Sequence, residues 1–373
     1  MAKRAELLAP RTLRIARVVR ETADAVTLVF EDPTGGRFAF APGQFFTLLV
    51  TVEGEVLRRA YSASSDARDE ERVAVTVKRV AGGVVSNHLN DHAREGDLVQ
   101  VLGPSGSFLV PEGDGRDRHI VLLAGGSGIT PLLSILRTGL ARDPGARFTL
   151  VYGNRGERDV IFREAIDALA HAHAPRFSVR HVLGEPSPGW TGGQGILDEE
   201  TLRRELDAHV PRTDPDALYF VCGPEPMMRA ARVALRTRGV ADANVFEERF
   251  NMPHLRSAKA VAATGAPQVL SVRANGAPPR EIYVGPEQSI LEAGLSAGIA
   301  MDYSCAMGGC GACKVRLCEG EVEMEEPNCL TTGERAGGYV LACISRLRSS
   351  GAIATASDPG FAEAPEQARE AAQ

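Results

Sequence analysis

Four cysteines in the last part of the chain have the type and spacing of metal ligands. Cys305, Cys310 and Cys313 lie on one short segment, with four residues between the first two and two residues between the second and third; Cys343 follows much later. Cysteine thiolates at this spacing hold plant-type [2Fe–2S] clusters. Such a cluster carries one electron at a time, so the pattern predicts a protein that transfers electrons.

The residues around these cysteines favour the cluster over other uses of sulfur. Gly308, Gly309 and Gly311 let the backbone bend tightly and bring N–H groups close to the sulfurs. Structural zinc, the alternative, favours two Cys-x₂-Cys pairs, and the sequence holds one. A disulfide framework is disfavoured because the chain is long and its start lacks the apolar stretch of a signal peptide. We expect Cys318 and Cys329 to pack inside the domain or to lie at its surface. The alternative is that one of them takes the place of a cluster ligand.

Length and composition describe a multidomain protein without an obvious charged or membrane partner. The chain has 373 residues, of which 44% are hydrophobic and 24% charged, and its net charge is -6. This length predicts two or three domains. The negative charge argues against nucleic acid as a partner. Because no run of about 18 apolar residues occurs, we expect no membrane span, and reduced cysteines without an export signal indicate the cytoplasm.

The chain divides into three segments with different periodicity. Up to Pro111, short segments rich in β-branched residues predict an antiparallel β-barrel. From His119 to Cys222, buried apolar strands alternate with helical patterns, which predicts a doubly wound α/β domain. After an Ala-rich linker, a hairpin across Asn275-Gly276 and a short helix over Ser289–Ala297 precede the cysteine segment, as in a small α+β domain. The three segments therefore predict three domains.

Four short motifs stand in order in the first two segments. They are Arg59-Ala-Tyr61-Ser62, Gly82-Gly83-Val-Val-Ser86-Asn87, Gly125-Gly126-Ser-Gly128-Ile-Thr130-Pro131 and Cys222-Gly223-Pro224. With these motifs and the cysteine spacing, nearly the whole chain resembles the ferredoxin–NADP reductase family, in its oxygenase-reductase branch with a C-terminal ferredoxin domain. The resemblance implies an FAD-binding barrel over 10–113, an NAD(P)-binding domain over 114–251, a linker over 252–267, a β-grasp ferredoxin domain over 268–358 and a flexible tail over 359–373.

The first two motifs match the needs of a flavin. By the resemblance, Tyr61 lies against the isoalloxazine, Ser62 hydrogen-bonds near N5, and Arg59 pairs with the pyrophosphate, because its planar fork can bind two oxygens at once. The start of a predicted helix supplies free N–H groups for an anion. The pattern favours FAD, while FMN serves a minority branch. The other cofactor-binding residues implied for this part of the chain are Lys78, Gly83, Val85, Ser86 and Asn87.

The third motif matches the needs of a pyridine nucleotide. It follows a buried strand and opens a helix, the context of a dinucleotide phosphate site, although Pro131 stands where a third glycine would be. In this family the adenosine ribose binds at the end of the next strand, where Asn154 and Arg155 stand. Arg155 favours NADPH over NADH, since no acidic residue lies immediately at that strand end. The phosphate-site residues implied are Gly125, Gly126, Gly128, Thr130 and Pro131.

The remaining residues implied by the resemblance surround the point of hydride transfer. Cys222, with Gly223 and Pro224, ends a strand and would seat the nicotinamide beside the flavin without acting as a nucleophile. Glu248 and Phe250 would end the domain near the flavin. Ser62, Cys222 and Glu248 are therefore the expected catalytic residues.

Together these features predict an NAD(P)H-dependent flavo-iron–sulfur reductase. Its expected acceptor is a separate protein, a Rieske or di-iron oxygenase. Two alternatives stay open: a reductase of a hybrid-cluster or other redox-protective protein, and a flavoprotein carrying a zinc-stabilised binding module. An acidic run is expected to be solvated, with docking of a basic partner as the other possibility; it comprises Glu319, Glu321, Glu323, Glu325 and Glu326.

Overall fold

The chain folds into two compact units, Ala9–Phe250 and a second whose described residues lie within 266–361. A computed structural model describes residues 10–106, 108–111, 118–211, 216–250, 266–274, 276–286, 288–299, 301–303, 308, 311–325, 328, 330–356 and 358–361. The expected linker lies almost entirely outside these residues. Among the helices described, none is long and apolar enough to cross a membrane.

The first part of the larger unit is a closed antiparallel barrel. Its strands are ordered β4-β3-β6-β1-β2-β5, and the bridge between Ala63 and Val75 joins the end of β4 to β5. Helix α1 (Val84–His92) buries Val85 and Leu89 against the barrel core. The predicted barrel is confirmed. Its strands are β1 (Arg11–Thr22), β2 (Ala25–Glu31), β3 (Phe45–Val52), β4 (Glu55–Ser62), β5 (Arg72–Lys78) and β6 (Leu98–Ser105).

The second part of this unit is a parallel sheet covered on both faces, which confirms the doubly wound prediction. The strand order is β10-β9-β8-β7-β11-β12. Successive residues of β7 enter different cores, Val121 one and Leu122 the other, because side chains alternate along a strand. The strands are β7 (His119–Gly125), β8 (Arg147–Asn154), β9 (Phe177–Leu183), β10 (Gly193–Gln194), β11 (Leu218–Cys222) and β12 (Val245–Glu248), and the helices are α2 (Ile129–Arg142), α3 (Arg163–Ala172), α4 (Glu199–His209) and α5 (Glu225–Thr237).

Helix α2 is one of the elements that join the barrel to the parallel sheet. The guanidinium of Arg137 donates to the Ser64 carbonyl at 2.8 Å. The hydroxyl of Thr138 accepts the N–H of Ala67 at 2.9 Å. Because residues 64–67 follow β4 directly, helix α2 is attached to the chain segment that leaves the predicted flavin strand.

The single tryptophan of the chain links the loop before β10 to helix α3 in the parallel-sheet domain. The indole Nε1 of Trp190 donates to the Gly193 carbonyl at 2.9 Å. The guanidinium of Arg163, at the start of α3, lies 5.6 Å from its ring centroid. Trp190 therefore ties the loop before β10 to helix α3.

The second unit is a small α+β domain, as predicted. Its main sheet has the order β14-β13-β19-β15-β17, and β16 pairs with β18. Both helices begin with capping boxes, Ser289 with Glu292 and Thr331 with Glu334. The elements are β13 (Gln268–Arg273), β14 (Arg280–Val284), α6 (Ile290–Ser296), β15 (Lys314–Glu319), β16 (Val322–Met324), α7 (Thr332–Ala336), β17 (Tyr339–Leu341), β18 (Ser345–Leu347) and β19 (Gly351–Ala354).

The predicted hairpin and tail are described in part. Strands β13 and β14 pair antiparallel as expected, although Asn275 lies outside the described residues. Pro359–Phe361 forms a single 3₁₀ turn, and the Phe361 carbonyl accepts the Tyr339 hydroxyl at 3.1 Å. The first residues of the expected tail are thus attached to strand β17, and residues 362–373 lie outside the description.

Candidate flavin, nucleotide and cluster sites

Strand β4 presents the predicted flavin residues at one end of the barrel. Tyr61 pairs in register with Phe46 of β3, and Ser62 is only 4% exposed. Burial raises the pKa of Tyr61 above its usual value, so its ring is a neutral phenol. The guanidinium of Arg59 donates to the Arg58 carbonyl at 2.7 Å. Because strand residues alternate in direction, Arg59 and Tyr61 share one face of β4.

The start of helix α1 forms a tight polar turn. The Val80 N–H donates to the Ser86 hydroxyl at 3.2 Å, and the Asn87 amide donates to the Val80 carbonyl at 3.3 Å. A side chain at Gly83 would place its Cβ 2.6 Å from the Ser86 oxygen. No acidic residue occupies the first turn, so the helix N-terminus suits an anion. The Val85 side chain is buried in the barrel core, so its backbone alone is suited to a cofactor.

The third motif forms a glycine turn that lies against strand β11. A Cβ at Gly128 would lie 2.1 Å from the Cys222 carbonyl oxygen, and one at Gly125 would lie 2.7 Å from the Pro224 ring. The turn therefore requires glycine at both positions. Gly126 has a φ of 53°, and the Thr130 hydroxyl donates to the Ser127 carbonyl at 3.0 Å.

The rest of this turn leads directly into helix α2. Pro131 occupies the first turn of the helix, where its missing N–H costs no hydrogen bond. Pro131 is buried. The glycine turn leads directly into α2, and the Ile129 N–H at the start of the helix donates to the Gly126 and Ser127 carbonyls.

Lys78 brings the barrel to this same turn. Its ammonium group would lie 3.2 Å from a Cβ at Gly126. The pKa of Asp159 is lowered chiefly by the hydrogen bond from Arg155, and the charge of Lys78 adds to that effect. A cation close to the glycine turn thus comes from β5 of the barrel. This arrangement suits a nucleotide phosphate held between the two halves of the unit.

Cys222 and Glu248 lie side by side on β11 and β12. They are register partners in the parallel sheet. Cys222 is fully buried, and burial, followed by the nearby Glu248 carboxylate, raises the pKa of its thiol well above the usual value. The thiol therefore stays protonated, as we expect of a residue that positions the nicotinamide and does not act as a nucleophile. Phe250, two residues further on, is 43% exposed and ends the unit.

The end of β8 carries one unsatisfied side chain and one ion pair. Both polar atoms of the Asn154 amide are buried without a hydrogen-bond partner in the described structure, which suits a residue that binds a ligand. Arg155 forms a 2.5 Å salt bridge with Asp159. Asp159 was not predicted from the sequence, because its pairing with Arg155 arises from the loop and the 3₁₀ turn that follow β8 and not from the i,i+4 spacing of an α-helix.

Two of the predicted cluster ligands are adjacent in the ferredoxin domain. The sulfurs of Cys313 and Cys343 lie 3.1 Å apart, and the Ala342 N–H donates to the Cys313 carbonyl at 3.0 Å. Gly308 and Gly311 have positive φ values of 74° and 69°, a backbone conformation that glycine adopts without steric strain. Paired thiols beside a tight glycine loop fit a [2Fe–2S] cluster; Cys305 and Cys310 lie outside the described residues.

The other cysteines and the acidic run behave differently from the ligand pair. The Cys318 sulfur lies 3.1 Å from Nη2 of Arg273, and Cys329 lies outside the described residues. Glu323 forms a salt bridge with Arg348, and Glu325 pairs with Arg346 at 2.6 Å. Both pairs join the segments of β16 and β18, so this part of the acidic run is neutralised within the domain.

Known proteins match each domain of the chain. The oxidoreductase FAD-binding domain matches residues 12–109, the oxidoreductase NAD-binding domain matches residues 122–233, and the 2Fe-2S iron-sulfur cluster binding domain matches residues 272–348. The three-domain order also occurs in a crystal structure of phthalate dioxygenase reductase, with a TM-score of 0.61 and 25% identity over 93% of this chain and 98% of that one.

Relatives match most of the chain along most of their own length. The chain is 35% identical to a component of the 1,2-phenylacetyl-CoA epoxidase of Escherichia coli, over 89% of this chain and 93% of the relative. It is 38% identical to the ferredoxin reductase component of 3-ketosteroid-9-alpha-monooxygenase of Mycobacterium tuberculosis, over 90% of this chain and 93% of that relative.

The fold and these matches define an NAD(P)H-dependent oxidoreductase that uses FAD and a [2Fe–2S] cluster. The chain belongs to the oxygenase-reductase branch of the ferredoxin–NADP reductase family, as its motifs indicated.

Proposed function

We propose that this chain is the reductase component of a Rieske or di-iron oxygenase system. Bound FAD accepts a hydride's two electrons and releases them singly, and a [2Fe–2S] cluster passes on one electron at a time. The observation that carries the proposal is the adjacency of Cys313 and Cys343 in the same chain as the glycine turn and the flavin strand. A relative, the glycine betaine monooxygenase reductase subunit of Pseudomonas aeruginosa, is 34% identical over 89% of this chain.

We assign the hydride-transfer position to the ends of β4 and β11. Cys222 stays protonated because it is buried, so its thiol places no negative charge beside the nicotinamide. The volume of the Cys222 side chain limits how deeply the nicotinamide ring enters the site. Glu248, its register partner, supplies a carboxylate for proton movement near the flavin. Ser62 would hydrogen-bond near N5 of a bound flavin, and Phe250, which ends the unit, would lie near the flavin.

We assign nucleotide binding to the glycine turn and the end of β8. Gly125, Gly126 and Gly128 admit a pyrophosphate close to the backbone, and Lys78 opposes its charge from the barrel. The unpaired Asn154 amide binds the adenosine ribose.

Arg155 is proposed to bind the 2′-phosphate of NADPH. It is 66% exposed in its side chain and already paired with Asp159, so a phosphate must compete with a carboxylate for the same guanidinium. This competition predicts a modest rather than an absolute preference for NADPH. Comparing kcat/KM for NADPH and NADH in the wild type and Arg155→Ala measures it directly.

The proposal is tested with the fully loaded protein in three assays. NAD(P)H oxidation coupled to ferricyanide reports transfer to flavin, reduction of cytochrome c reports transfer through the cluster, and product formation with a purified Rieske or di-iron oxygenase reports the natural acceptor. Absence of NAD(P)H-dependent cytochrome c reduction would contradict the reductase proposal. Efficient reduction of a hybrid-cluster protein, with no coupling to either class of oxygenase, would overturn the acceptor alone.

The place of action is proposed to be the cytoplasm, where NAD(P)H is available and cysteine thiols stay reduced. Cell fractionation followed by immunoblotting checks this assignment. Recovery in the membrane pellet after a high-salt wash would contradict it.

A further inference from the structure

Three phenylalanines form a continuous stack between the barrel and the parallel sheet. The ring of Phe108, which follows β6, meets the ring of Phe220 on β11 edge to face, with centroids 5.4 Å apart and planes at 72°. Phe220 lies nearly parallel to Phe246 of β12, with centroids 4.7 Å apart. Aromatic pairs at these separations attract each other beyond the burial of their area. Phe108 and Phe220 are 3% and 0% exposed, so the phenylalanine stack is part of the interior.

The barrel fixes the backbone of Phe108. A Cβ at Gly43 would lie 1.9 Å from the Phe108 carbonyl oxygen, and Gly43 has a φ of 97°, so this close approach requires glycine. Two residues after Gly43, Phe45 begins β3 and pairs in register with Ser62. The backbone that carries the Phe108 ring therefore lies against the turn that leads into the register partner of Ser62.

The sheet connects the other end of the phenylalanine stack to the proposed hydride-transfer position. Phe220 and Phe246 are register partners, and Cys222 and Glu248 are register partners two residues further along the same strands. Because side chains alternate along a strand, both pairs lie on one face of the sheet, with the second about 6–7 Å beyond the first. Phe220 and Cys222 also belong to one core cluster together with Phe108. The stack thus adjoins the pair of Cys222 and Glu248.

We propose that Phe108, Phe220 and Phe246 are positioning residues that set the distance between the nicotinamide and the flavin. The inference rests on the proposed hydride-transfer position at the ends of β4 and β11. A reaction of this kind requires its reacting atoms within about 3–3.5 Å, and a displacement of about 1 Å can cost about 100-fold in rate. A stack of buried rings suits this role because a close-packed interior is compressed only slightly. The stack acts through the strands that carry Cys222 and Glu248.

The first test replaces Phe108 by leucine, which keeps the site apolar but removes the ring edge that meets Phe220. The full chain, loaded with FAD and the cluster, is mixed anaerobically in a stopped-flow instrument with NADPH and with NADH at a range of concentrations. Flavin bleaching gives the limiting rate of flavin reduction and, separately, the dissociation constant of the nucleotide. We expect the limiting rate to fall about 10- to 100-fold while the dissociation constant stays within about twofold of wild type.

Phe148→Leu is the matched control. Phe148 is 1% exposed and belongs to the same core cluster, but its ring lies over Gly139 of helix α2, where an added Cβ would meet it at 2.5 Å. Both variants lose a buried ring, so both should lower the unfolding temperature, whereas only Phe108→Leu should slow flavin reduction. A purely structural role for Phe108 predicts the same limiting rate in both variants, and that result would overturn the inference.

Phe246 provides a second test that does not depend on the folding of Phe108→Leu, because Phe246 is only partly buried. Phe246→Leu removes the ring on which Phe220 rests and should slow flavin reduction at unchanged nucleotide affinity. Phe246→Tyr keeps that ring and should retain the wild-type rate. A limiting rate within about twofold of wild type in either leucine variant that folds would overturn the inference. Failure of the wild type to reduce its flavin with either nucleotide would instead contradict the proposed function.

Discussion

The two ends of the electron path are built in different ways. The nucleotide and flavin residues come from strands far apart in sequence and meet through backbone contacts, such as the approach of Gly128 to the Cys222 carbonyl. The described cluster ligands flank two short strands, β15 and β17, which pair antiparallel from Lys314 and Leu341 onward, and the Ala342 N–H also donates to the Cys313 carbonyl. The first site is therefore set by the packing of whole domains, whereas the second is set by the pairing of two neighbouring strands in one small sheet.

This difference extends to the hydrophobic cores. The Ala9–Phe250 unit has a barrel core and a core on each face of its parallel sheet. The ferredoxin domain has one core cluster, and Cys313, only 3% exposed, belongs to it. Loss of a metal ligand should therefore damage the packing of the ferredoxin domain more than loss of a nucleotide contact damages the larger unit.

The largest expected effect comes from Cys343→Ser. Even changes to groups that support a metal ligand cost about 10- to 100-fold in affinity, so we expect cytochrome c reduction to fall more than about a hundredfold while NAD(P)H-ferricyanide activity largely survives. Iron and sulfide analysis with visible absorbance checks the loss of the cluster. Cys318→Ser is the control, since that sulfur contacts Arg273; equal losses in both variants would contradict the ligand assignment.

The next largest effect is expected from Gly128→Ala. The new Cβ would lie 2.1 Å from the Cys222 carbonyl oxygen, and backbone cannot yield as a flexible side chain can. We expect a loss of about 1–3 kcal/mol in the stability of the larger unit and slower flavin reduction by NAD(P)H. Gly333→Ala in helix α7 meets no atom within 4 Å and should be neutral or slightly stabilising. Calorimetric unfolding distinguishes the two, and a similar response in both would contradict the close contact.

A smaller effect compares helix caps in the two units. The Ser289 hydroxyl accepts the Glu292 N–H at the start of α6, and the Asp198 carboxylate accepts the Thr201 N–H at the start of α4. Ser289→Ala and Asp198→Ala should each cost about 1 kcal/mol. We expect the first to lower the unfolding temperature of its domain further, because the smaller domain has the smaller unfolding entropy. Equal shifts in unfolding temperature for the two variants would contradict the expected difference between the two units.

The smallest effect is a pH-dependent one in the barrel. The Thr34 hydroxyl and then the Arg11 guanidinium lower the pKa of Asp32 from 3.8 to about 2. Since the folded pKa is depressed, this stabilisation is present above pH 3.8 and is lost as the pH falls through about 2. Asp32→Asn should therefore destabilise by about 1 kcal/mol or less at neutral pH, with no difference once the pH is at or below the folded pKa. Denaturant unfolding at both pH values measures this; a pH-independent difference would contradict it.

Local patterns in the sequence were enough to predict much of this architecture. Alternation and β-branched runs predicted the barrel strands, and the apolar run ending at Gly125 predicted a central parallel strand. The apposition of Cys313 and Cys343 followed from ligand spacing. These features were accessible because each depends on residues close in sequence or on chemistry with few alternatives.

The contacts between domains were not accessible in the same way. Arg137 is one of many arginines on amphipathic helices, and only the docking of α2 against residues 64–67 reveals its partner. The pairing of Glu323 with Arg348 depends on the register of β16 with β18, which a run of acidic residues does not indicate. Long-range register is a property of the packed chain, so composition alone could not supply it.

The position of Trp190 makes the two units optically distinguishable. It is the only tryptophan of the chain, and it lies in the parallel-sheet domain between Arg163 and Gly193. Emission excited at tryptophan wavelengths therefore originates in one unit alone. Unfolding of the ferredoxin domain should change the circular dichroism signal without shifting the tryptophan emission maximum. Tryptophan fluorescence therefore reports the unfolding of the larger unit alone, and comparison with circular dichroism gives the order in which the two units unfold.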